Sequence, residues 1–424
     1  MTGLFAAAVE LDITPPVGTG LDGYAARQAA SIGVHDPLLA QLLLVKSGSQ
    51  VVTIISLDLL GVSLDFTNRV RRGIQDTIGV PNECVLIACS HTHSGAAGFL
   101  PPHLGIKTSP DAELQHLLAC QLIGAARWAA GCLQPARLGV GLGAVTGIGL
   151  NRNDPSGGIV DEDVIVLQIE DEARRPIAVL MNHGCHPTVL GYENLYFSAD
   201  FPGATRAALR QIYPETIFLF TNGASGDIST RFTRRSQDFT EVNRLGRLLA
   251  GEVLKVMQTI LSQPEAELSG KLAEVELKLR SFPSPEVARQ ELEQLQAELD
   301  GLKTAHASHG ELRRAITHLE GAQGQALMAQ ELAGRSVNRS QVQALQIGDL
   351  VLVGLPGEPF THTVLEIKQR NPKAFTAVVS YANDYQGYFP DAQSVLQGNY
   401  EALISPYAAN VAENLMESAL NLIL

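Results

Sequence analysis

The sequence predicts an α/β fold: mixed β-sheets with surrounding helices, plus a helical hairpin insertion. Two observations predict it. Short apolar runs rich in Val and Ile alternate with helical patterns through the first 260 residues, which is the signature of layered sheets and helices. After residue 268 the texture changes to one alternating segment and two charged helical segments, and then returns to apolar runs.

The elements follow in chain order. "QVVTIISLDLL" (50–60) reads as a buried strand. Asp65 is a candidate cap for a helix in which Phe66, Val70, Ile74 and Ile78 recur at steps of four. "ECVLIAC" (83–89) reads as a second strand and "ELQHLLACQLIGAARWAAG" (113–131) as a helix. Strands are expected at 163–170, 176–185 and 216–223. Val242, Leu245, Leu249, Val253, Val256 and Ile260 mark a long amphipathic helix. "KLAEVELKLR" (271–280) alternates apolar and polar residues, as a half-exposed strand does. Segments 284–302 and 310–333 then form the helical hairpin, with Ser284 before Pro285 as a helix start. The hairpin is either a solvated pair of helices or a lid or oligomer arm. "QALQIGDLVLVGLPGEPF" (343–360) reads as a strand ending in a Gly-Pro loop, "AFTAVVSYANDYQGYF" (374–389) repeats that design, and a helix closes the chain.

Composition removes several function classes. The formal net charge of −13 comes with scattered Lys and Arg, so the clustered basic patch that nucleic-acid binding needs is missing. The N-terminal "MTGLFAAAVELDITPP" lacks the positive start of a signal peptide. No apolar run of about 18 residues exists to form a spanning helix. Cys84, Cys89, Cys120, Cys132 and Cys185 form an odd set without paired spacing, which suits free thiols and a cytoplasmic location.

Several apolar runs end in the same way. "VLIACSHTHSG" delivers His91 and His93, "AVLMNHGCHP" delivers His183 and His186, and "FLFTNGASGDIST" delivers Asn222, Asp227 and Ser229. "LVLVGLPGEPF" ends in Glu358, and "AVVSYANDYQGYF" in Asn383, Asp384, Tyr385 and Tyr388. Ligands gather at strand carboxyl ends in open α/β sheets, so these exits suggest one converging site. Imidazole and carboxylate are the ligand types that zinc takes. His91 and His93, two apart on an extended segment, can face one cavity. His186, held extended before Pro187, is a better candidate than His183. Hydrogen-bonded structural histidines and a turn-capping Glu358 are the alternative reading. Gly223 and Gly226 let backbone N–H groups near Ser225, Ser229 and Thr230 approach a ligand, unless this loop is simply a strand-to-helix connection.

The ordered set "DITPPVG" (12–18), "HDPL" (35–38), "SHTHSG" (90–95), "LNRND" (150–154), "HPT" (186–188), "NGASGDIS" (222–229), "GEPF" (357–360), "YQGY" (385–388) and "NYE" (399–401) resembles the neutral ceramidase family, zinc amidases that split N-acyl-sphingosines. The resemblance spans most of the chain. It implies zinc held by His91, His186, Glu358 and Tyr388, with Tyr385 as the other tyrosine to weigh. It implies Ser229 as nucleophile and His93, Arg152 and Tyr400 as contacts of the reacting amide. The chemistry is coherent: zinc acidifies water to a pKa of about 7, and each oxyanion donor is typically worth about 3 kcal/mol. A cation also favours the phenolate form of a tyrosine ligand.

Two departures stand out. Thr230 and Arg231 follow Ser229 where the family has Pro and Asn, and an arginine there could favour an anionic substrate. Family members are generally secreted or membrane-facing and carry a C-terminal β-sandwich domain; here the expectation is a single catalytic domain over 1–424, with a hairpin excursion at 268–340 and no such domain. The expected function is zinc-dependent hydrolysis of a linear amide in a small N-acyl substrate, lipid-like or not, by serine attack assisted by zinc-bound water. An ester or lactone hydrolase, or a binding protein that keeps the fold, is the alternative.

Overall fold

A computed structural model of the protein describes residues 3–101, 109–305, 307, 309–332, 334–371 and 375–423. Ala333, Ala374 and Leu424, at the edges of expected elements, lie outside the described residues. The architecture is mixed α/β, as the apolar runs predict. Three larger sheets carry it. The first has the spatial order Val85–Cys89, Gln50–Leu57, Leu39–Ser47, Leu4–Asp12, Gln134–Pro135. The second runs Ile217–Asn222, Pro176–His183, Asp163–Glu170, Arg137–Ala144. The third runs Leu268–Lys278, Val337–Ile347, Leu350–Gly354, Phe375–Val379.

Each sheet contains one parallel pair among antiparallel neighbours: 50–57 with 85–89, 176–183 with 217–222, and 350–354 with 375–379. These strands are buried over most of their length, so they read as continuous apolar runs rather than alternations. Their carboxyl ends meet. Ser380 N–H donates to Asn222 O, Asn383 N–H to Ile87 O and Cys89 N–H to Tyr381 O. The Asn222 side chain donates to Ser90 O and Cys185 O, tying the first sheet to the second.

Helices cover the sheets: α1 (Leu64–Ile78), α2 (Ala112–Gly131), α3 (Asp200–Arg210), α4 (Phe239–Met257), α5 (Pro285–Thr304), α6 (His309–Glu331), α7 (Thr361–Arg370), α8 (Ala392–Gln397), α9 (Tyr400–Ile404) and α10 (Val411–Ile423). Ser63, rather than Asp65, caps α1: its hydroxyl accepts Phe66 N–H at 3.2 Å, and Asp65 lies inside the first turn. Gly79 at φ 74° closes the helix in the left-handed region. Leu245, Leu249 and Val253 of α4 are buried as their spacing predicts. Gly246 is needed because a methyl there would lie 2.5 Å from the Ala204 Cβ of α3. The expected 343–360 strand is really the end of one strand and a second after it, because Gly348 at φ 59° turns the chain back. The strand expected from 83 begins at Val85, after a short 3₁₀ turn.

Helices α5 and α6 leave between strands 268–278 and 337–347, which pair from Leu268↔Ile347 to Lys278↔Val337. Leu299, Ala315 and Leu319 give the hairpin a small core of its own. Among the described residues no helix is long and apolar enough to cross a membrane.

Candidate active site

The loop after strand 85–89 places His91. Ser90 N–H donates to Leu57 O and His91 N–H to Leu59 O, which holds His91 at φ 67°. Tyr381 (φ 56°) and Asn383 (φ 64°), on the facing loop, are also in the left-handed region. Non-glycine residues adopt that conformation at a cost and cluster where geometry matters to function. The Tyr381 ring stacks on His91, with centroids 3.8 Å apart and planes 8° from parallel.

His186 enters from the second sheet. Its N–H donates to Ile228 O, and it bridges in parallel to Ser229. His91 Nδ1 donates to Leu60 O at 2.7 Å and His186 Nδ1 to Ser225 O at 2.5 Å. Each bond places the ring's proton on Nδ1 and leaves Nε2 as a bare lone pair, the arrangement that supporting carbonyls impose on metal-binding histidines.

Glu358 follows the Leu350–Gly354 strand of the third sheet, on a two-residue strand that pairs in parallel with Tyr388–Phe389, and is fully buried. Its carboxylate lies 3.0 Å from His186 Nε2 and 3.8 Å from His91 Nε2. Tyr385 OH donates to Glu358 Oε1 at 2.6 Å, and Tyr381 OH lies 3.4 Å from Oε2. Burial alone would raise the Glu358 pKa, but His91, His186 and the Tyr385 hydroxyl bring it down to about 2. Burial pushes His91 down to about 3 against the pull of Glu358. Burial, with His91 and His186 beside it, also takes His93 well below its ordinary value. The His91 and His93 imidazoles are therefore neutral and the Glu358 carboxylate is charged.

One ring nitrogen each of His91, His93 and His186 lies within 4.8 Å of the others. His93 Nε2 is 3.2 Å from His91 Nε2. The His93 Nδ1 is buried with no hydrogen-bond partner among the described residues. Tyr388 OH is 3.5 Å from His186 Nε2. Converging lone pairs beside a buried carboxylate repel one another unless a cation sits among them, so the donor set fits a borderline divalent ion such as zinc. The structure thus brings His91, His186, Glu358 and Tyr388 together. It also brings His93 as close to His91 as a fellow ligand would be. His183 points elsewhere, with Nδ1 at 3.1 Å from Asp163 O.

Ser229 is buried on a short strand paired with Leu150–Asn151, and its hydroxyl accepts Arg231 N–H at 3.0 Å. That pairing also brings Arg152 in, whose N–H donates to Asp227 O. The Arg152 guanidinium donates to Gly226 O at 2.6 Å, pairs with Glu401 at 2.5 Å and lies 5.3 Å over the Tyr388 ring. Burial would lower the Arg152 pKa, but Glu401 and Tyr388 raise it well above its ordinary value. Burial raises Tyr388, and Arg152 opposes the rise. Tyr400 starts α9, is partly exposed and lies within electrostatic reach of Tyr388.

Asp227, one of the polar residues released at a strand exit, takes a supporting role, and three further supporting residues, Tyr381, Tyr24 and Arg27, carry no signal that the sequence patterns pick out as part of the site. Asp227 accepts both the N–H and hydroxyl of Thr361 and the Asn151 amide, so one carboxylate ties the Glu358 loop to the Arg152 loop. Burial raises its pKa to about 6. Tyr381 stands in the same loop, ahead of the two tyrosines of "YQGY". Tyr24 lies 4.8 Å from the His93 ring, and Arg27 donates to His93 O at 2.8 Å. The glycine at 23 beside Tyr24 is the one available signal for this segment. A cavity of about 310 Å³, lined by Ile32, Leu190, Leu195, Tyr196 and Phe239 and also by Glu193, Asn194, Gln237 and Asp238, adjoins this side, since Leu190 O accepts Tyr24 OH at 2.7 Å.

The profile of a family described as neutral/alkaline non-lysosomal ceramidase, N-terminal, matches residues 7–232. No curated protein matches the chain. A solved structure titled "Ceramidase complexed with C2" superposes with a TM-score of 0.77 at 15% identity, covering 100% of this chain and 75% of that one. The neutral ceramidase from Pseudomonas aeruginosa superposes with a TM-score of 0.77 at 17% identity, covering 100% of this chain and 74% of that one. At these identities the likeness is one of fold.

Proposed function

The chain belongs to the neutral/alkaline non-lysosomal ceramidase family, and on that basis we propose that it is a zinc-dependent hydrolase of a linear N-acyl amide, with Ser229 as nucleophile. The family is one of hydrolases acting on amide bonds. The observation that carries the finer reading is the convergence of His91 and His186 on Glu358, each ring oriented by a backbone carbonyl.

His91, His186, Glu358 and Tyr388 hold the ion in this reading, and Tyr385 orients the carboxylate. When bound, zinc supplies Lewis acidity at the carbonyl and acidifies water toward neutral pH. The remaining work falls to side chains. Ser229 presents its hydroxyl to the amide carbon, and the Arg231 N–H steadies negative charge on that oxygen. Burial keeps His93 neutral, so it can take or return a proton. Arg152 stays cationic through Glu401 and, with Tyr400, donates to the oxyanion. Arg152 over Tyr388 also favours the phenolate.

The cavity beside Tyr24 offers apolar surface from Ile32, Leu190, Leu195 and Phe239 to an acyl chain and polar groups from Glu193, Asn194, Gln237 and Asp238 to a headgroup, in keeping with a lipid-like N-acyl substrate such as ceramide. Five free cysteines are in keeping with a cytoplasmic setting. The three sheets converging on one site support a single catalytic domain, with α5 and α6 as an excursion from it. The test is turnover of chromogenic N-acyl amides by zinc-loaded protein. Wild type releases the amine and Ser229→Ala does not; equal rates for the two would exclude the serine, and no turnover of any amide would end the proposal.

A further inference from the structure

Helix α9 is short, yet it supplies Tyr400 and Glu401, and Glu401 holds Arg152 through a 2.5 Å contact. The other carboxylate oxygen of Glu401 accepts the Asn153 amide at 3.2 Å. Five residues make one turn and a half, too little to hold itself in place. Something outside it must fix its position.

Arg280 does so at the far end. Its guanidinium donates to Leu403 O at 2.7 Å and to Ala402 O at 3.4 Å, and its own N–H donates to Pro406 O at 2.9 Å. The Ala402 and Leu403 carbonyls are among those that a helix leaves without partners at its carboxyl end, where a cation is favoured. Burial lowers the Arg280 pKa, so placing the cation here has a cost that the bonds to α9 offset. From the side, α6 lies against the same turn. A methyl built on Gly321 would touch Leu403 at 3.5 Å, and one on Gly324 would touch Ile404 at 3.4 Å. A larger side chain at either position would push α9 away. Past the helix, Ser405 Oγ donates to Tyr388 O at 2.9 Å.

We propose that Arg280 is a positioning residue for the reaction: by gripping the carboxyl end of α9 against α6, it sets Tyr400 and Glu401, and through Glu401 the Arg152 guanidinium. The hairpin then has a function, since its root carries Arg280 and its second helix backs α9. The catalytic half of this inference rests on the proposed amide hydrolysis; the structural half does not.

The experiment compares wild type with Arg280→Met, Arg280→Lys, Glu401→Gln and the Met/Gln double variant, by hydrogen exchange and by amide turnover. In Arg280→Met, amides 399–404 exchange at least about tenfold faster while the sheets stay protected. Its kcat falls by about tenfold or more with KM within about threefold, as misplacement of an oxyanion donor requires. Arg280→Lys recovers part of kcat. In the double variant the Met change costs less than it does alone, because the route through Glu401 and the Arg152 guanidinium is already lost and only the Tyr400 route remains. Unchanged exchange over 399–404, or losses that multiply in the double variant, overturns the inference. Should Arg280→Met fail to fold, Gly324→Leu displaces α9 from its other side and must give the same pattern. If wild type turns over no amide, the proposed function fails, and the exchange comparison still decides whether Arg280 fixes α9.

Discussion

The Glu358 carboxylate lies 3.0 Å from His186 Nε2 although the two residues follow strands of different sheets and are separated by more than 170 positions. Neither side chain is exposed. A charged carboxylate and a bare imidazole lone pair are thus held close together, away from water. In the proposed reading a divalent cation held by both residues offsets their repulsion.

Gly23 should be intolerant of any side chain. It sits at φ 105°, and a methyl would lie 2.6 Å from both Cγ and Nδ1 of His93. Gly23→Ala therefore turns the His93 ring out of register with His91. The expected result is a loss of kcat of about tenfold or more with zinc content unchanged. Loss of zinc from Gly23→Ala would instead make His93 a ligand.

Asp200 should give stability an acid-favouring component. Burial raises its pKa from 3.8 to about 7. The folded state therefore binds the proton more tightly than the unfolded state does. The contribution is fully present below pH 4 and is lost as pH rises to about 7; the loss is about 4 kcal/mol as an upper bound. Asp200→Asn removes the dependence, and Asn tolerates the residue's φ of 54°. Urea titrations at pH 5 and pH 8 check this. Wild type should lose stability relative to the variant between the two, and parallel curves would contradict it.

Arg231 should set a preference for charge in the substrate. Its backbone N–H bonds the Ser229 hydroxyl, and the charges of Arg231, Arg234 and Arg27 all act on Tyr24, which lies 4.8 Å from the His93 ring. Arg231→Asn should lower kcat/KM for N-acyl amino acids by about tenfold relative to neutral amides of equal chain length. An unchanged ratio would remove Arg231 from recognition.

Much of the scaffold is legible in the sequence because buried strands advertise themselves. "DVIVLQIE" forms a strand with the expected limits, and "TIFLFTNG" does so within a residue or two. Boundaries set by a single side chain are harder to read. Asp65 has the chemistry of a cap, but the hydroxyl two residues earlier reaches the N–H that a cap must satisfy. At the site, His91, His186 and Glu358 are legible as polar residues released by apolar strands. Tyr381 and Glu401 are not, because their roles depend on contacts with His91 and Arg152 across roughly 290 and 250 residues of chain. No local pattern encodes such contacts.

Anomalous diffraction at the zinc edge, from crystals of zinc-loaded protein, probes the metal centre itself. One peak is expected at about 2.0–2.3 Å from nitrogens of His91 and His186 and from a Glu358 oxygen, with Tyr388 OH as the fourth ligand. A map with no peak among these side chains, at neutral pH and saturating zinc, would contradict a zinc hydrolase.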